Sequence, residues 1–76
     1  MNKERRKRIE SIKEKLSDLQ SDIDELKDEE QEAYDNLPES FQHGERGESI
    51  SQAIDNLYYA CSSIEEAIDY LNEAIE

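Results

Sequence analysis

The chain has no Trp, one Cys, one Pro, one His and two Gly among 76 residues. Each scarcity excludes something. The lone Cys61 allows no intrachain disulfide. One His and one Cys cannot build a structural zinc site, which needs four such ligands. Few turn-forming residues argue against a sheet-rich fold. No apolar run is long enough to suggest a membrane span. The opening Met-Asn-Lys-Glu-Arg-Arg-Lys-Arg has no apolar stretch behind it, which argues against a secretory signal. A free thiol without an export signal leads us to expect a cytoplasmic protein that does not associate with membranes. His43 has no Ser or Cys nucleophile at a readable spacing. We therefore expect no enzymatic activity and no cofactor.

The most informative scarcity is of positive charge. No Lys or Arg follows Arg46. From Asp18 to Glu76 there are 18 acidic residues against Lys27 and Arg46 alone, a net of -16. The first 15 residues run the other way, with seven Lys or Arg against Glu4, Glu10 and Glu14. The whole chain carries -12. Nucleic-acid binding depends on cations that neutralise phosphates, so direct nucleic-acid binding is not expected. Arg5-Arg6-Lys7-Arg8 would be the only basic patch. Its simpler reading is a solvated helix start or a partner for acidic residues elsewhere in the chain. The carboxylates Asp18, Asp22, Asp24, Glu25 and Asp28 lack the Gly and the terminal bidentate Glu of a calcium loop. Gly44-Glu-Arg-Gly47 matches the Gly-x-x-Gly of some RNA-binding loops, but its acidic setting repels phosphate, and helix capping explains it better.

What remains is a clear heptad pattern. Ile9, Ile12, Leu16, Leu19, Ile23 and Leu26 alternate spacings of three and four, and Ala33 and Leu37 resume the series past Glu30. Pro38 ends it, because Pro disfavours a helical residue before it and donates no hydrogen bond. A first helix is predicted over about 3–36. Ile50, Ile54, Leu57, Cys61, Ile64, Ile68, Leu71 and Ile75 form a second seam. Ala53, Ala60, Ala67 and Ala74 lie beside it at heptad spacing, so this helix has a wide apolar face suited to two neighbours. It is predicted over about 45–75. Gly44 is the favoured N-cap, with Glu45 and Glu48 suiting the dipole. Ser49 with Gln52 offers a capping box one turn later.

The hinge over 37–44 is short enough to imply an antiparallel hairpin. Pro38 suits the first position of a short helical turn. Leu37 and Phe41 are expected to fold back over the end of the core. Antiparallel pairing should also set Lys3 to Lys15 against Glu65, Glu66, Asp69, Glu73 and Glu76. The hinge end, with Asp28 to Glu32, has no such compensation. The expected fold is thus all-α, a single-domain two-helix hairpin of roughly 40–50 Å. A chain this short rarely has a core worth more than about 3–5 kcal/mol. The hairpin is therefore expected to form a homodimer, a four-helix bundle. Ala53, Ile54, Leu57, Ala60, Cys61, Ile64, Ala67, Ile68 and Leu71 would be its core or interface. Cys61 reads as an inert buried thiol. Repulsion between two chains of -12 opposes dimerisation and should ease with salt.

Four Tyr remain. Tyr34 and Tyr58 are expected to pack half-buried beside the seam. Tyr59 and Tyr70 lie well off it, and Tyr is favoured at interfaces. The candidate partner-binding residues are therefore Asp28, Glu29, Glu32, Asp35, Tyr59 and Tyr70. Two functions fit. One is an acidic binding protein that occupies a basic groove of another protein, as a nucleic-acid mimic. Duplex DNA carries one charge per about 1.7 Å, so ~45 Å holds about 26, close to the charge of two such chains. The other is a structural coiled-coil adaptor whose acidity provides only solubility.

The words Tyr34-Asp-Asn-Leu-Pro-Glu-Ser-Phe-Gln and Glu45-Arg-Gly-Glu48 stand out in the hinge. Ala-Ile-Asp-x-Leu and Glu-Glu-Ala-Ile-Asp-Tyr-Leu follow from Ala53 and Glu65. Through these the chain resembles uncharacterised small acidic helical-hairpin proteins of Firmicutes, their phages and mobile elements. The resemblance implies no activity and no binding residues. It does suggest a phage-encoded inhibitor of a host defence or DNA-handling protein.

Overall fold

A computed structural model describes residues 1–76. The protein is all-α. Helix α1 spans Lys3–Asp35, a one-turn α2 spans Glu39–Gln42, and α3 spans Glu45–Ala74. The molecule is a rod of 58 × 15 × 12 Å.

Local chemistry sets the helix ends. Asn2 caps α1, its Oδ1 accepting from the Arg5 amide at 2.8 Å. Asn36 closes it one residue after Asp35. Pro38 is extended (φ -55°, ψ 144°) and precedes α2 rather than opening it, one position earlier than expected. Its carbonyl accepts from the Phe41 and Gln42 amides. Gly44 is the N-cap of α3, so the earlier of the two predicted starts is the one adopted.

Gly47 locks the hinge. It is the single buried residue of the chain. A Cβ at this position would overlap the Gln42 carbonyl and lie 2.7 Å from the Gln42 Cα, so only Gly permits this approach. The Gln42 side chain donates to the Tyr34 carbonyl at 3.2 Å and the Leu37 carbonyl at 3.1 Å, tying the hinge to the end of α1. Leu37 folds in and is half-buried. Phe41 does not plug the core as expected; it is 54% exposed. The polar Gln42 takes the inner place because its amide can donate to carbonyls at the end of α1, adding to the Leu37 amide on the Tyr34 carbonyl and serving the Leu37 carbonyl.

The long helices pack antiparallel. Gln20 Nε2 donates to the Cys61 carbonyl at 3.1 Å, and Cys61 Sγ donates to the Gln20 carbonyl at 3.7 Å. These contacts put residues 20 and 61 at one height along the rod. The side turned toward α3 carries Ile9, Leu16, Ile23 and Glu30 of α1 and Leu37 just past its end, together with Lys13, Gln20, Lys27 and Tyr34. All nine are half-buried. Ile12, Leu19 and Leu26 belong to the same apolar heptad but are 46%, 53% and 53% exposed. The interface is thus rotated from the centre of the apolar stripe, and half of the stripe faces outward.

No hydrophobic side chain is fully buried. The nine predicted core or interface positions from Ala53 to Leu71, Cys61 included, are half-buried. A compact monomer of 8.9 kDa exposes about 4,800 Å². This chain exposes 5963 Å².

Candidate interaction surfaces

Side chains on a helix advance about 100° per residue, so positions seven apart share a side and positions two apart are nearly opposed. On α1, Asp28 and Asp35 are therefore on one side, almost opposite Leu26, and point away from α3. Both are exposed, as are Glu29 and Glu32. Gln31 Nε2 donates to Asp35 Oδ1 at 3.2 Å. No cation lies within ion-pair distance of these four carboxylates; the ion pairs of the molecule are elsewhere. Carboxylates at a helix C-terminus also oppose the macrodipole, and the last turn of α1 holds no basic residue. Lys27, paired with Asp24, also feels the charge of Asp28. The hinge end is thus a group of rigidly held negative charges without direct ion pairs.

At the open end the expected cross-helix pairing does not form. Lys13 pairs with Glu10 of its own helix at 3.3 Å, and Lys27 with Asp24 at 3.0 Å. No ion pair joins Lys3 to Lys15 to the acidic residues of α3. Arg5 to Arg8 are exposed and face solvent.

The two sides of the hairpin differ. One groove is lined by Gln20, Asp24, Lys27, Tyr58, Cys61 and Glu65, and it is polar. Lys27 Nζ sits 5.8 Å from the Tyr58 ring centroid, within cation–π range. The hydrogen bond and charge of Asp24 hold the Lys27 ammonium above its ordinary pKa of 10.5. Tyr58 is 57% exposed, less covered than its position beside the seam suggested. Tyr34 is half-buried as expected. Tyr58 and Tyr59 meet edge to face, with ring centroids 5.8 Å apart.

The opposite groove is apolar, formed by Leu26 and Leu57 with Ala53, and rimmed by Glu29, Glu30 and Asn56. Further along α1 the apolar surface continues at Met1, Ile9 and Ile12, flanked by Arg5 and Arg8. Leu19 lies between. The spacing of the seam shows that Ile12, Leu19 and Leu26 are apolar, not that they stay uncovered. The clue was available in Lys13, Gln20 and Lys27: polar residues seven apart that take the inner side.

The six candidate partner-binding residues do not form one cluster. Tyr59 is 64% exposed and projects from the back of α3, roughly opposite Leu57. Tyr70 is 68% exposed and lies at heptad spacing from Asn56, on the apolar-groove side. Glu29 rims that same groove. Asp28, Asp35 and Tyr59 face away from it. No three His, Cys, Asp or Glu side chains converge into a metal-binding geometry. No helix is long and apolar enough to cross a membrane. His43 is exposed in the hinge. No family model, curated protein or solved structure matches the chain.

Proposed function

We propose that this protein is a non-enzymatic acidic binding module whose hinge end occupies a cationic, nucleic-acid-binding site on another protein. The observation carrying this reading is the exposed set Asp28, Glu32 and Asp35, fixed on a helix and lacking cation partners. Carboxylates held on a rigid rod reach a basic groove without the ordering cost of a flexible acidic tail. They also steer association over distances set by ionic strength. Two chains side by side over 58 Å would carry one net charge per about 2.4 Å, against about 1.7 Å for duplex DNA. A phage-type inhibitor of a host defence or DNA-handling protein, within the cytoplasm, is the biological form of this reading that the sequence resemblance suggests.

The test is affinity capture from bacterial lysate at about 0.1 and 0.4 M salt, where screening differs strongly. The variant is the triple reversal Asp28→Lys, Glu32→Lys, Asp35→Lys. Recovery of a nucleic-acid-handling protein at low salt, displaced by competitor DNA and lost in the variant, is the expected result. A partner retained at both salts and by the variant rejects mimicry. It would favour the second reading, a structural adaptor, for which the uncovered Ile12, Leu19 and Leu26 speak. Such an adaptor should respond to Tyr59→Ala or Tyr70→Ala instead.

A further inference from the structure

We propose that the apolar side of the hairpin is a self-association surface, and that the second copy binds head to tail, with the two hinges at opposite ends. Three independent features select this occupant and this orientation.

The first is area. The chain exposes about 1,150 Å² more than a compact monomer of its mass. Removing that excess from two chains buries roughly 2,300 Å², the range of obligate homodimers. The uncovered Ile12, Leu19 and Leu26 are the side chains that such burial would cover.

The second is symmetry. Ile12 and Leu26 are each seven residues from Leu19, so the α1 stripe is centred on Leu19. The α3 stripe from Ala53 to Ala74 is centred between Ala60 and Ala67. The Gln20–Cys61 contact puts Leu19 level with about residue 62, within two residues of that second centre. One two-fold axis across the rod therefore serves both helices. It sets Leu19 on its own copy and Ile12 on Leu26 of the second chain. On α3 it sets Ala60 on Ala67 and Ala53 on Ala74.

The third is charge. Arg8, Lys15, Asp22 and Glu29 occupy one heptad position on the rim of the α1 stripe; Arg8 borders Ile12 and Glu29 borders Leu26. The sign changes at the centre of symmetry. A head-to-tail copy pairs Arg8 with Glu29 and Lys15 with Asp22, four opposite-charge contacts around the axis. The alternative, with both hinges at one end, leaves these residues unpaired and brings the two acidic hinges together. On α3 the corresponding rim is Ser49, Asn56, Ser63 and Tyr70, with no charge to repel its copy. The head-to-tail pairing also relieves α1, whose cations stand at its positive dipole end and whose carboxylates stand at its negative end. Asp28, Asp35 and Tyr59 remain outside this interface, so it is compatible with the proposed function without depending on it.

Sedimentation equilibrium of the full chain, with helix content followed by circular dichroism, tests this. The expected mass is twice 8.9 kDa. Arg8→Glu should weaken association at least tenfold, and adding Glu29→Arg to the same chain should restore it to within about threefold. A second measurement does not rely on charge. In a Cys61→Ser background, Ile12→Cys chains mixed with Leu26→Cys chains should form a mixed disulfide under mild oxidation. In the alternative orientation those positions differ by about 21 Å in height. A helical monomer at all concentrations, a higher oligomer, or a dimer without rescue and without the mixed disulfide overturns the proposal.

Discussion

The two sides of this hairpin are built from the same two helices, yet one is zipped shut and the other is left open. On the closed side, Gln20 and Cys61 exchange hydrogen bonds, and Lys27 is held between Asp24 and the Tyr58 ring. On the open side, Leu19 and Leu26 lie 53% exposed along a row of alanines. Lys13, Gln20 and Lys27 take half-buried places beside Leu16 and Ile23 while Leu19 and Leu26 stay outside, the reverse of what hydrophobic burial favours for these positions in an isolated chain. The contrast teaches that the hairpin by itself leaves part of its apolar stripe uncovered. α3 has a face wide enough for two neighbours, but α1 alone covers it only in part.

Opening the hinge would erase the distinction altogether. Gly47→Ala forces a Cβ against the Gln42 backbone, which cannot move aside as a flexible side chain would. The expected cost is about 1–3 kcal/mol or more. It would be seen as a lowered urea midpoint and loss of hydrogen-exchange protection near Gly47. An unchanged midpoint would mean that the Gln42–Gly47 approach is not part of the native hinge.

Leu16 and Leu19 allow the two sides to be compared directly. Leu16 faces α3 and is half-buried, whereas Leu19 faces outward. In dilute protein, Leu16→Ala should cost roughly 1–2 kcal/mol and Leu19→Ala less than about 1 kcal/mol. The gap should close as protein concentration rises, if the open side is buried by a partner copy. Equal costs at every concentration would dissolve the contrast.

A smaller effect is expected at Gln20. Gln20→Ala removes its hydrogen bond to the Cys61 carbonyl and should cost about 0.5–1.5 kcal/mol in thermal or urea unfolding. Gln20→Leu tests whether the closed side prefers an apolar residue. If it stabilises the chain, the polar contact is there for register rather than for energy.

The smallest effect concerns pH. Asp24 raises the Lys27 pKa in the folded state, so Lys27 contributes stability that is fully present below its ordinary 10.5. That contribution is lost as pH rises through the higher folded value. Wild type should therefore lose its advantage over Lys27→Met only at strongly alkaline pH, with no difference in slope near neutrality. A difference that vanished between pH 5 and 8 would point to another titrating group.

Much of the fold was legible because it rests on local rules. Both long helices lie within one residue of their expected limits, since the heptad spacing, Pro38 and Gly44 act over short stretches of chain. The candidate site was less legible. The spacing of Asp28, Glu32 and Asp35 indicates carboxylates on a helix, and they are exposed there. That Glu29 and Tyr70 belong to a different side from Asp28 and Tyr59 depends on which side of α1 meets α3. The predicted ion pairs at the open end failed for a related reason. Charge complementarity between two segments says they can attract, but exposed Lys and Arg gain little by giving up solvent and side-chain freedom.

The sequence by itself determined helix, hinge and charge polarity, because capping, periodicity and net charge are properties of short stretches of chain. Only the tertiary structure decided that Gly47 is the closest-packed point, that Gln42 rather than Phe41 turns inward, and that Ile12, Leu19 and Leu26 are left uncovered. The first two depend on how the hinge folds against the long helices, and the last on the rotation of α1 about its own axis. A heptad stripe wide enough for two partners does not specify that angle until the second helix is in place.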